Sequence, residues 1–221
     1  LILDLRFNIS DKFVQKFVII ESKFDHQNRE KKINFKFEKF EKFKNKIEYI
    51  VIDNFPEKLS NWGRENYQRN FILKGLDEAS EDDYIMISDV DEIPNLEEIQ
   101  NRKIGKYTVF KQKMFYYKIN LLNKTEPVWY GCKICKKKYL KSPQWLRNIK
   151  TRKRPFWKIY KPKEPQLIFD GGWHFSFLKK PKDIAKKIKI YSHQEYYKDE
   201  FINEEKISKR IENKQDLFDR N

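Results

Sequence analysis

Three short apolar runs separated by helical patterns constrain the fold of this chain more than any other feature. The runs span residues 16–23, 47–56 and 83–89, and each ends in polar residues. Between them, residues 34–46 place phenylalanines at helical spacing, and residues 60–79 open with Ser and Asn, which are good helix caps. Buried strands that alternate with helices are typical of a parallel sheet flanked by helices. The sequence therefore predicts an α/β fold with a mostly parallel central sheet.

The second half of the chain follows a different pattern, with longer strands and amphipathic helices near its end. We expect strands at residues 106–120 and 127–140, and two strands joined by a Gly-Gly turn within residues 167–177. The chain contains only six glycines and no Gly-rich linker, so we predict one domain. The remaining predicted helices span residues 142–150, which Ser142 would cap, 181–197 and 203–214.

The composition indicates a folded, basic protein. Hydrophobic residues make up 39% of the 221 residues and aromatic residues 16%, which is enough apolar material for a sizeable core. The formal net charge of +15 suits an anionic partner such as nucleic acid, a membrane surface or a phosphorylated ligand. A Lys-rich solvated surface would explain the same charge without any partner. Nucleic acid is the least favoured partner, because no zinc-finger, RRM or helix-turn-helix signature is present.

Two cysteines, Cys132 and Cys135, form a CxxC pair, a spacing found in zinc and redox sites. Zinc would need two further ligands, and the chain has no second cysteine pair. Residues three apart in a strand also point to opposite faces. Two lone cysteines favour a reducing compartment, and the richness in Lys, Asn and Ile favours a bacterial or viral source, so we expect a cytoplasmic protein. No apolar run approaches the ~18 residues of a membrane helix, although the basic surface leaves open peripheral membrane contact.

The third apolar run ends in a cluster of acids, Asp89, Asp91 and Glu92, which a proline closes. Strand alternation would place the two aspartates on one side and Val90 towards the core. Hard divalent cations such as Mg²⁺ and Mn²⁺ prefer oxygen ligands, and often take one or two carboxylates plus substrate phosphates. The cluster therefore predicts a site for a metal–diphosphate complex. Alternatively, these acids only form a turn and cap a helix that begins near Asn95.

The stretch RENYQRNFILKGLDEASEDDYIMISDVDEIP (residues 64–94) resembles glycosyltransferases of the GT-A type. In that pattern an Arg-Asn on a helix, a small-residue turn, a hydrophobic strand and a DxD follow in order. Three further blocks narrow the resemblance, namely KFVIIESK at residues 16–23, GGWHFSF at 171–177 and SHQEYY at 192–197. Together the blocks are similar to glycosyltransferase family 17, and they spread over about residues 1–215.

This resemblance implies a single Rossmann-like GT-A domain over residues 1–221. Its nucleotide-binding half would cover about residues 1–94, and its acceptor- and metal-binding half about residues 95–221. Relatives usually have a strand ahead of the helix that begins here at Leu1, so we expect such a strand to precede this sequence. The resemblance also implies a nucleotide-sugar donor, commonly UDP-GlcNAc, a glycan acceptor, Mn²⁺ or Mg²⁺, and inversion at the anomeric carbon.

The resemblance, together with side-chain chemistry, implies that Glu21, Arg69, Asp89 and Trp173 contact the donor. Glu21 is the glutamate that this chain retains from the family's Glu-Ser segment after the first apolar run. The guanidinium of Arg69 suits phosphate or uridine oxygens, and its alternative role is a salt bridge to Glu65 one helical turn away. The indole of Trp173 can lie flat against a sugar or a base.

The expected metal ligands are Asp89 and Asp91, with His174 as a third. His193 competes with His174 for this role. Imidazole suits Mn²⁺ less well than carboxylate does, but proteins use it. A histidine among aromatic residues can also be an ordinary core residue, and this alternative stays open for His174.

An inverting transferase needs a carboxylate that accepts the proton of the acceptor hydroxyl. We name Asp170, which lies beside the Gly-Gly turn, ahead of Glu92, and Glu126 is a third candidate. Glu92 has an alternative role, in which it orders the metal-binding loop. Each of these acids could also be a solvated or capping residue.

These features predict a metal-dependent inverting glycosyltransferase that moves a sugar, most simply GlcNAc from UDP-GlcNAc, onto a glycan acceptor. The alternative is a basic module that binds nucleic acid or another polyanion without catalysis, with the DxD as an ordinary turn.

Overall fold

The computed structural model describes residues 1–151, 164–190 and 198–218. The helices of this part of the chain are α1 (Ile2–Ser10), α2 (Asn61–Asn70), α3 (Glu97–Gln100), α4 (Pro143–Arg147), α5 (Pro181–Ile190), α6 (Asp199–Ile202) and α7 (Glu204–Glu212). Its strands are β1 (Phe17–Ser22), β2 (Ile47–Ile52), β3 (Tyr84–Ile87), β4 (Glu92–Pro94), β5 (Thr108–Phe110), β6 (Gln112–Tyr116), β7 (Val128–Trp129), β8 (Lys133–Lys136), β9 (Gln166–Ile168) and β10 (Gly172–Ser176). Short 3-10 turns occur at Phe37–Lys39, Glu41–Lys46, Phe71–Gly75 and Lys137–Tyr139.

The local sequence signals of strands and helix caps are confirmed. The three apolar runs of the first half form β1, β2 and β3. The Ser60 hydroxyl caps α2 by accepting a hydrogen bond from the main-chain N–H of Gly63 at 3.0 Å. Ser142 caps α4 in the same way, through the N–H of Trp145 at 3.1 Å. Caps and apolar runs depend on neighbouring residues, so the sequence alone locates them.

Three predicted elements are less regular than expected. Residues 34–46 form two 3-10 turns instead of an α-helix. Phe40 breaks the segment with a φ of −132°, and its ring centroid lies 5.2 Å from that of Phe7 and 5.3 Å from that of Phe35. The long strands predicted over residues 106–120 and 127–140 each divide in two, the first into β5 and β6 and the second into β7 and β8, because the two parts belong to different sheets. In all three places, packing against distant residues overrides the local pattern.

The strands form three sheets, so the prediction of one mostly parallel sheet is wrong. One sheet pairs β1 with β2 in parallel, a second has the order β4-β10-β6-β7, and a third has the order β3-β8-β5-β9. Among the described residues, three pairings are parallel and four are antiparallel. The prediction fails because β3 pairs with neither β1 nor β2. Its partner is β8, which runs antiparallel with Cys135 opposite Ile85. The α/β class itself is confirmed.

The C-terminal helices cover the sheet that contains β6 and β10. Met114 of β6 and Phe177, just after β10, pack with Ile184 and Ile188 of α5 and Ile207 of α7, and all five side chains are buried. Full burial of a side chain of this kind contributes about 1.5–3 kcal/mol. This packing fixes α5 against the end of β10. None of the described helices has the length and apolar character needed to cross a membrane.

Residues 88–91, which we call the carboxylate turn, connect β3 in one four-stranded sheet to β4 in the other. The main-chain N–H of Glu92 closes the turn with a hydrogen bond to the Asp89 carbonyl at 3.1 Å. Glu92 begins β4 and lies opposite His174 of β10. The carboxylate turn therefore lies where the two sheets meet.

Candidate functional site

The carboxylate turn does not continue the alternation of β3. Val90 is 59% exposed instead of facing the core as predicted, because strand geometry ends at Ile87. The side chains of Asp89 and Asp91 are 37% and 21% exposed. The turn thus presents two partly accessible carboxylates on either side of an exposed apolar side chain.

Glu92 lies beneath the turn with no accessible surface. Its Oε1 accepts hydrogen bonds from Trp129 Nε1 at 2.6 Å and Arg147 Nη2 at 2.7 Å, and its Oε2 accepts the Asp89 main-chain N–H at 3.0 Å. A buried carboxylate is tolerated only with such partners, and loss of one partner typically costs about 3–5 kcal/mol. The geometry therefore favours the role in which Glu92 orders the turn, and it gives Glu92 no access to a substrate.

Two arginines hold Asp89 from opposite ends of its carboxylate. Arg69 Nη2 lies 3.1 Å from Oδ1, and Arg147 Nη2 lies 2.6 Å from Oδ2. Both arginine side chains are only 12% exposed, so little solvent screens these contacts. Arg6 of α1 adds a third guanidinium, which donates to the main-chain carbonyls of Asp89 at 2.6 Å and Glu92 at 3.1 Å. The backbone and the side chain of Asp89 are both fixed.

Asp91 faces a different pair of groups, His174 and Lys187. His174 Nε2 lies 3.4 Å from Oδ1, and Lys187 Nζ lies 3.5 Å from Oδ2. Burial alone would raise the pKa of Asp91, but the hydrogen bond with His174 and the charge of Lys187 outweigh it and hold the pKa well below its usual range. Asp91 is therefore a carboxylate, and not a carboxylic acid, at neutral pH.

His174 is 6% exposed and lies flat against Trp129, with ring centroids 4.7 Å apart and an interplanar angle of 20°. Its Nε2 faces Asp91 and also lies 3.5 Å from the Ser176 hydroxyl. Its Nδ1 is buried and has no hydrogen-bond partner among the described residues. His174 thus lies beside Asp91 of the DxD motif, and its role as a third metal ligand stays a prediction.

Arg147 is itself anchored by residues below the turn. Lys133 of β8, which is 5% exposed, donates to the main-chain carbonyls of Arg147 and, at 2.7 Å, of Ile149, where α4 ends. Burial, and then the nearby Arg147 charge, lower the pKa of Lys133 to about 8. Arg147 Nη1 donates to the Gly131 carbonyl. A Cβ on Gly131 would lie 2.1 Å from Glu92 Oε1, so only glycine leaves room for the buried carboxylate.

The QRN segment of α2 connects three parts of the site. Gln68 lies 3.2 Å from His26 Nε2, in the segment that follows β1. Arg69 pairs with Glu65 as well as with Asp89, and it also donates to Gln144 of α4. The Asn70 side chain accepts the Gln144 main-chain N–H at 2.9 Å. Arg69 therefore makes the salt bridge to Glu65 that was its alternative role, and a contact with Asp89 that the sequence did not indicate, while its contact with the donor stays a prediction.

Glu21, the predicted donor contact on β1, lies apart from the carboxylate turn in a network of its own. It accepts hydrogen bonds from the main-chain N–H groups of Asn34 and Phe35 at 2.8 and 3.0 Å, and from the Tyr49 hydroxyl at 3.0 Å. Burial would raise the pKa of Glu21, but these main-chain hydrogen bonds, with help from Lys31, lower it. The structure places Glu21 as an anchor for the segment after β1.

Trp173 lies opposite Ile93 in the middle of β4, and Asp170 precedes the residues that pair with the far end of that strand. The main-chain N–H of Asn95 donates a hydrogen bond to the Gly171 carbonyl at 3.1 Å. This contact lies just beyond Pro94, at the end of β4 that is remote from the carboxylate turn. Asp170 is 61% exposed and pairs loosely with Lys113 at 3.7 Å. It lies two residues before Gly172, which pairs with Pro94 at the end of β4 that is remote from the carboxylate turn. The structure does not bring Asp170 to the carboxylate turn.

The remaining sequence candidates are His193, the basic run 150–154, the two cysteines and Glu126. His193 and most of the basic run 150–154 fall outside the described residues. Cys132 and Cys135 are buried, unbonded to each other and in different hydrophobic clusters, as a strand spacing of three predicts. Burial raises the pKa of both thiols, which makes them poor nucleophiles. Glu126 lies in an exposed segment before β7.

The carboxylate oxygens of the carboxylate turn are the type of ligand that a hard divalent cation prefers. Mg²⁺ and Mn²⁺ often take only one or two carboxylates and leave their other positions to phosphates and water, and Asp89 and Asp91 supply two accessible ones. The described residues contain no group of three or more His, Cys, Asp or Glu side chains arranged as a metal cage. A cation here would have to share both aspartates with the arginines and Lys187.

Sequence reasoning missed several residues that build this site: Arg6, Trp129, Gly131, Lys133, Arg147 and Lys187. None belongs to a recognisable motif, and each lies more than 30 residues from the acid that it contacts or supports. The sequence contains only an indirect signal for these residues. Three acids in four residues require several cations nearby, but a basic chain offers too many candidates to choose from.

Comparisons with known proteins identify the family. The family model of glycosyltransferase family 17 matches residues 1–220. The chain is also similar to the β-1,4-mannosyl-glycoprotein 4-β-N-acetylglucosaminyltransferases of Rattus norvegicus and Homo sapiens, with 24% identity over 216 residues in each case. These matches cover 85% of this chain but 40% of each relative, so the chain spans less than half the length of those proteins. No solved structure matches. The chain belongs to glycosyltransferase family 17.

Proposed function

We propose that this protein is a metal-dependent, inverting glycosyltransferase that moves GlcNAc from UDP-GlcNAc onto a glycan acceptor. One observation carries the proposal beyond family membership. Asp89 and Asp91 are accessible on one turn, while Glu92 is buried beneath it and clamped by Arg147 and Trp129. A turn that served only as a connection would not require this buried support. The rat and human relatives are N-acetylglucosaminyltransferases, which supports the choice of sugar.

The chain's own residues would prepare the site before any donor arrives. Asp89 and Asp91 would hold the metal ion, which when bound supplies Lewis-acid stabilisation of the diphosphate leaving group. Arg147 fixes the carboxylate of Asp89 and Glu92 fixes its main-chain N–H, so little reorganisation is needed at the moment of reaction. Arg69 adds positive potential beside the same carboxylate. Such fixed charges are most effective in a site that excludes water.

Inversion in one displacement needs a proton acceptor near the acceptor hydroxyl. The burial of Glu92 assigns it a positioning role in this proposal. Asp170, which is accessible, remains the predicted proton acceptor. It lies beyond the end of β4 that is remote from the carboxylate turn, so the single variant Asp170→Asn tests this role without disturbing the turn.

Thermal unfolding with ligands tests the proposal. A ligand that binds only the folded state at 100 times its Kd adds about 2.7 kcal/mol, which corresponds to a rise in Tm of about 5–10 °C for a chain of this size. We expect such a rise with UDP and Mn²⁺ together. It should be lost in Asp91→Asn and kept in Asp82→Asn, an exposed acid at the opposite end of β3.

A mass-spectrometric screen of UDP-, GDP- and CMP-sugars with several metals would then identify the donor. If UDP with Mn²⁺ leaves the Tm unchanged while oligonucleotides bind in a salt-dependent manner, the protein is the basic binding module and the proposal is wrong.

A further inference from the structure

Lys187 of α5 is the most accessible of the cationic side chains that pair with the carboxylate turn. Its Nζ lies 3.5 Å from Asp91 Oδ2 and 5.1 Å from the ring centroid of Phe177, and its side chain is 31% exposed. Arg69 and Arg147, by contrast, are each 12% exposed and bind several acceptors at once. The two arginines are committed to the scaffold of the turn, whereas Lys187 is not.

The contact between Lys187 and Asp91 is loose. Charged hydrogen bonds between nitrogen and oxygen are typically about 2.7–2.9 Å long, and this one is 3.5 Å. A lysine carries three rotatable donors on a flexible stem, so its ammonium can turn towards a neighbouring anion while the stem stays packed. The ammonium itself lies over the ring of Phe177, which is buried and therefore a fixed platform.

The position of α5 brings the ammonium close to the side of the fold where a nucleotide is expected. Gln27, in the segment that follows β1, donates from Nε2 to the Lys189 carbonyl in the last turn of α5 at 2.7 Å. Ligands of α/β proteins bind beyond the carboxyl ends of their strands. The last turn of α5 thus contacts the segment after β1, while Lys187 contacts the turn after β3.

We propose that Lys187 is a catalytic residue that binds the β-phosphate of the donor and neutralises the departing diphosphate. This inference rests on the proposed function. During transfer the bond between the anomeric carbon and the β-phosphate oxygen breaks, and its electron pair stays on the diphosphate. The acceptor oxygen bonds to the anomeric carbon as its proton passes to the proton acceptor of the proposed function, Asp170. Lys187 exchanges Asp91 for the phosphate oxygens and keeps its own proton throughout.

Binding of UDP and UMP in the presence of Mn²⁺, measured by calorimetry, tests this role. A hydrogen bond to a charged group contributes about 1.5–3 kcal/mol, so Lys187→Met should bind UDP about 10- to 100-fold more weakly. UMP lacks the β-phosphate, and its affinity should change less than threefold. Lys187→Arg should recover most of the UDP affinity. Lys186→Met, an exposed lysine on the same helix, is the matched control and should bind UDP like the wild type.

Each outcome has one meaning. Selective loss of UDP affinity supports the inference, and the unfolding temperature of each variant confirms that it is folded. If Lys187→Met binds UDP as the wild type does, or loses UDP and UMP equally, the inference is overturned while the proposed function stands. If the wild type itself binds no UDP with Mn²⁺, the proposed function fails and the inference fails with it.

Discussion

Replacement of Arg147 by methionine is the most direct test of the buried support under the carboxylate turn. Methionine keeps much of the aliphatic stem but removes the guanidinium that binds Glu92 Oε1 at 2.7 Å and Asp89 Oδ2 at 2.6 Å. Glu92, with no accessible surface, would then be a buried carboxylate without its ion-pair partner. Breaking such a pair typically costs about 3–5 kcal/mol. For a chain of this size, the Tm should fall by about 6–20 °C.

A double-mutant cycle separates this effect from a general loss of packing. Glu92→Gln removes the charge while an amide oxygen can still accept the Trp129 indole N–H. In Glu92→Gln/Arg147→Met no buried charge is left unpaired, so we expect the double variant to be more stable than the sum of the single changes predicts, by about 0.5–3 kcal/mol. Unfolding in urea, followed by circular dichroism, supplies the four free energies.

The matched control is Arg102→Met. Arg102 is 57% exposed and pairs with Glu98 one helical turn away at 2.7 Å, so its loss should change the free energy of unfolding by no more than about 0.5 kcal/mol. The reasoning is refuted if Arg147→Met is no more destabilising than this control. It is also refuted if the cycle shows no coupling, because Glu92 would then not depend on Arg147.

Two further predictions concern residues on either side of the turn. Asp170→Asn should lower kcat for transfer by about 10²-fold or more, because it removes the proposed proton acceptor, whereas transfer within about tenfold of the wild type would exclude Asp170 from the chemistry. Lys133→Met should lose more stability at pH 10 than at pH 7, as measured by urea unfolding at both values. The lowered pKa of Lys133, about 8, means that the folded protein releases this proton before the unfolded chain does. The free energy of unfolding of the wild type therefore rises by up to about 3 kcal/mol as the pH increases from 8 to about 10, and that of the variant does not. If Lys133→Met loses the same free energy of unfolding at pH 7 and at pH 10, the prediction is wrong.

The parts of the fold that the sequence predicts are those that depend on neighbouring residues. The apolar runs that become β1, β2 and β3 are visible because burial of a strand needs consecutive apolar side chains. Ser60 and Ser142 are recognisable caps because the groups they satisfy lie three residues away. The partner of a strand, by contrast, does not depend on neighbouring residues. Nothing in the run at residues 83–89 indicates that β3 pairs with β8, about 50 residues later in the chain.

The candidate site also has a part that the sequence predicts and a part that it does not. Asp89, Asp91 and Glu92 stand out because three acids follow a buried strand, but their separate roles do not. The exposure of Val90 shows why, since the alternation of side chains ends where the strand ends. Arg147, which binds two of the acids, is more than 50 residues away from them. The sequence therefore locates the turn, whereas the tertiary structure distinguishes the buried acid from the accessible ones.

The charges around the turn also indicate what kind of ligand it suits. The carboxylates of Asp89, Asp91 and the buried Glu92 contact three cationic side chains, and Arg6 contacts the main chain of the turn, so the described site has no excess of negative charge: Arg69, Arg147 and Lys187 are the three. A divalent cation alone would add two positive charges beside these groups, and Coulomb repulsion at such distances is substantial in a partly buried site. A nucleotide diphosphate brings compensating negative charge. On the proposed function, metal and diphosphate should therefore bind together far better than the metal alone, because the arginines and Lys187 already occupy the place of a resident cation.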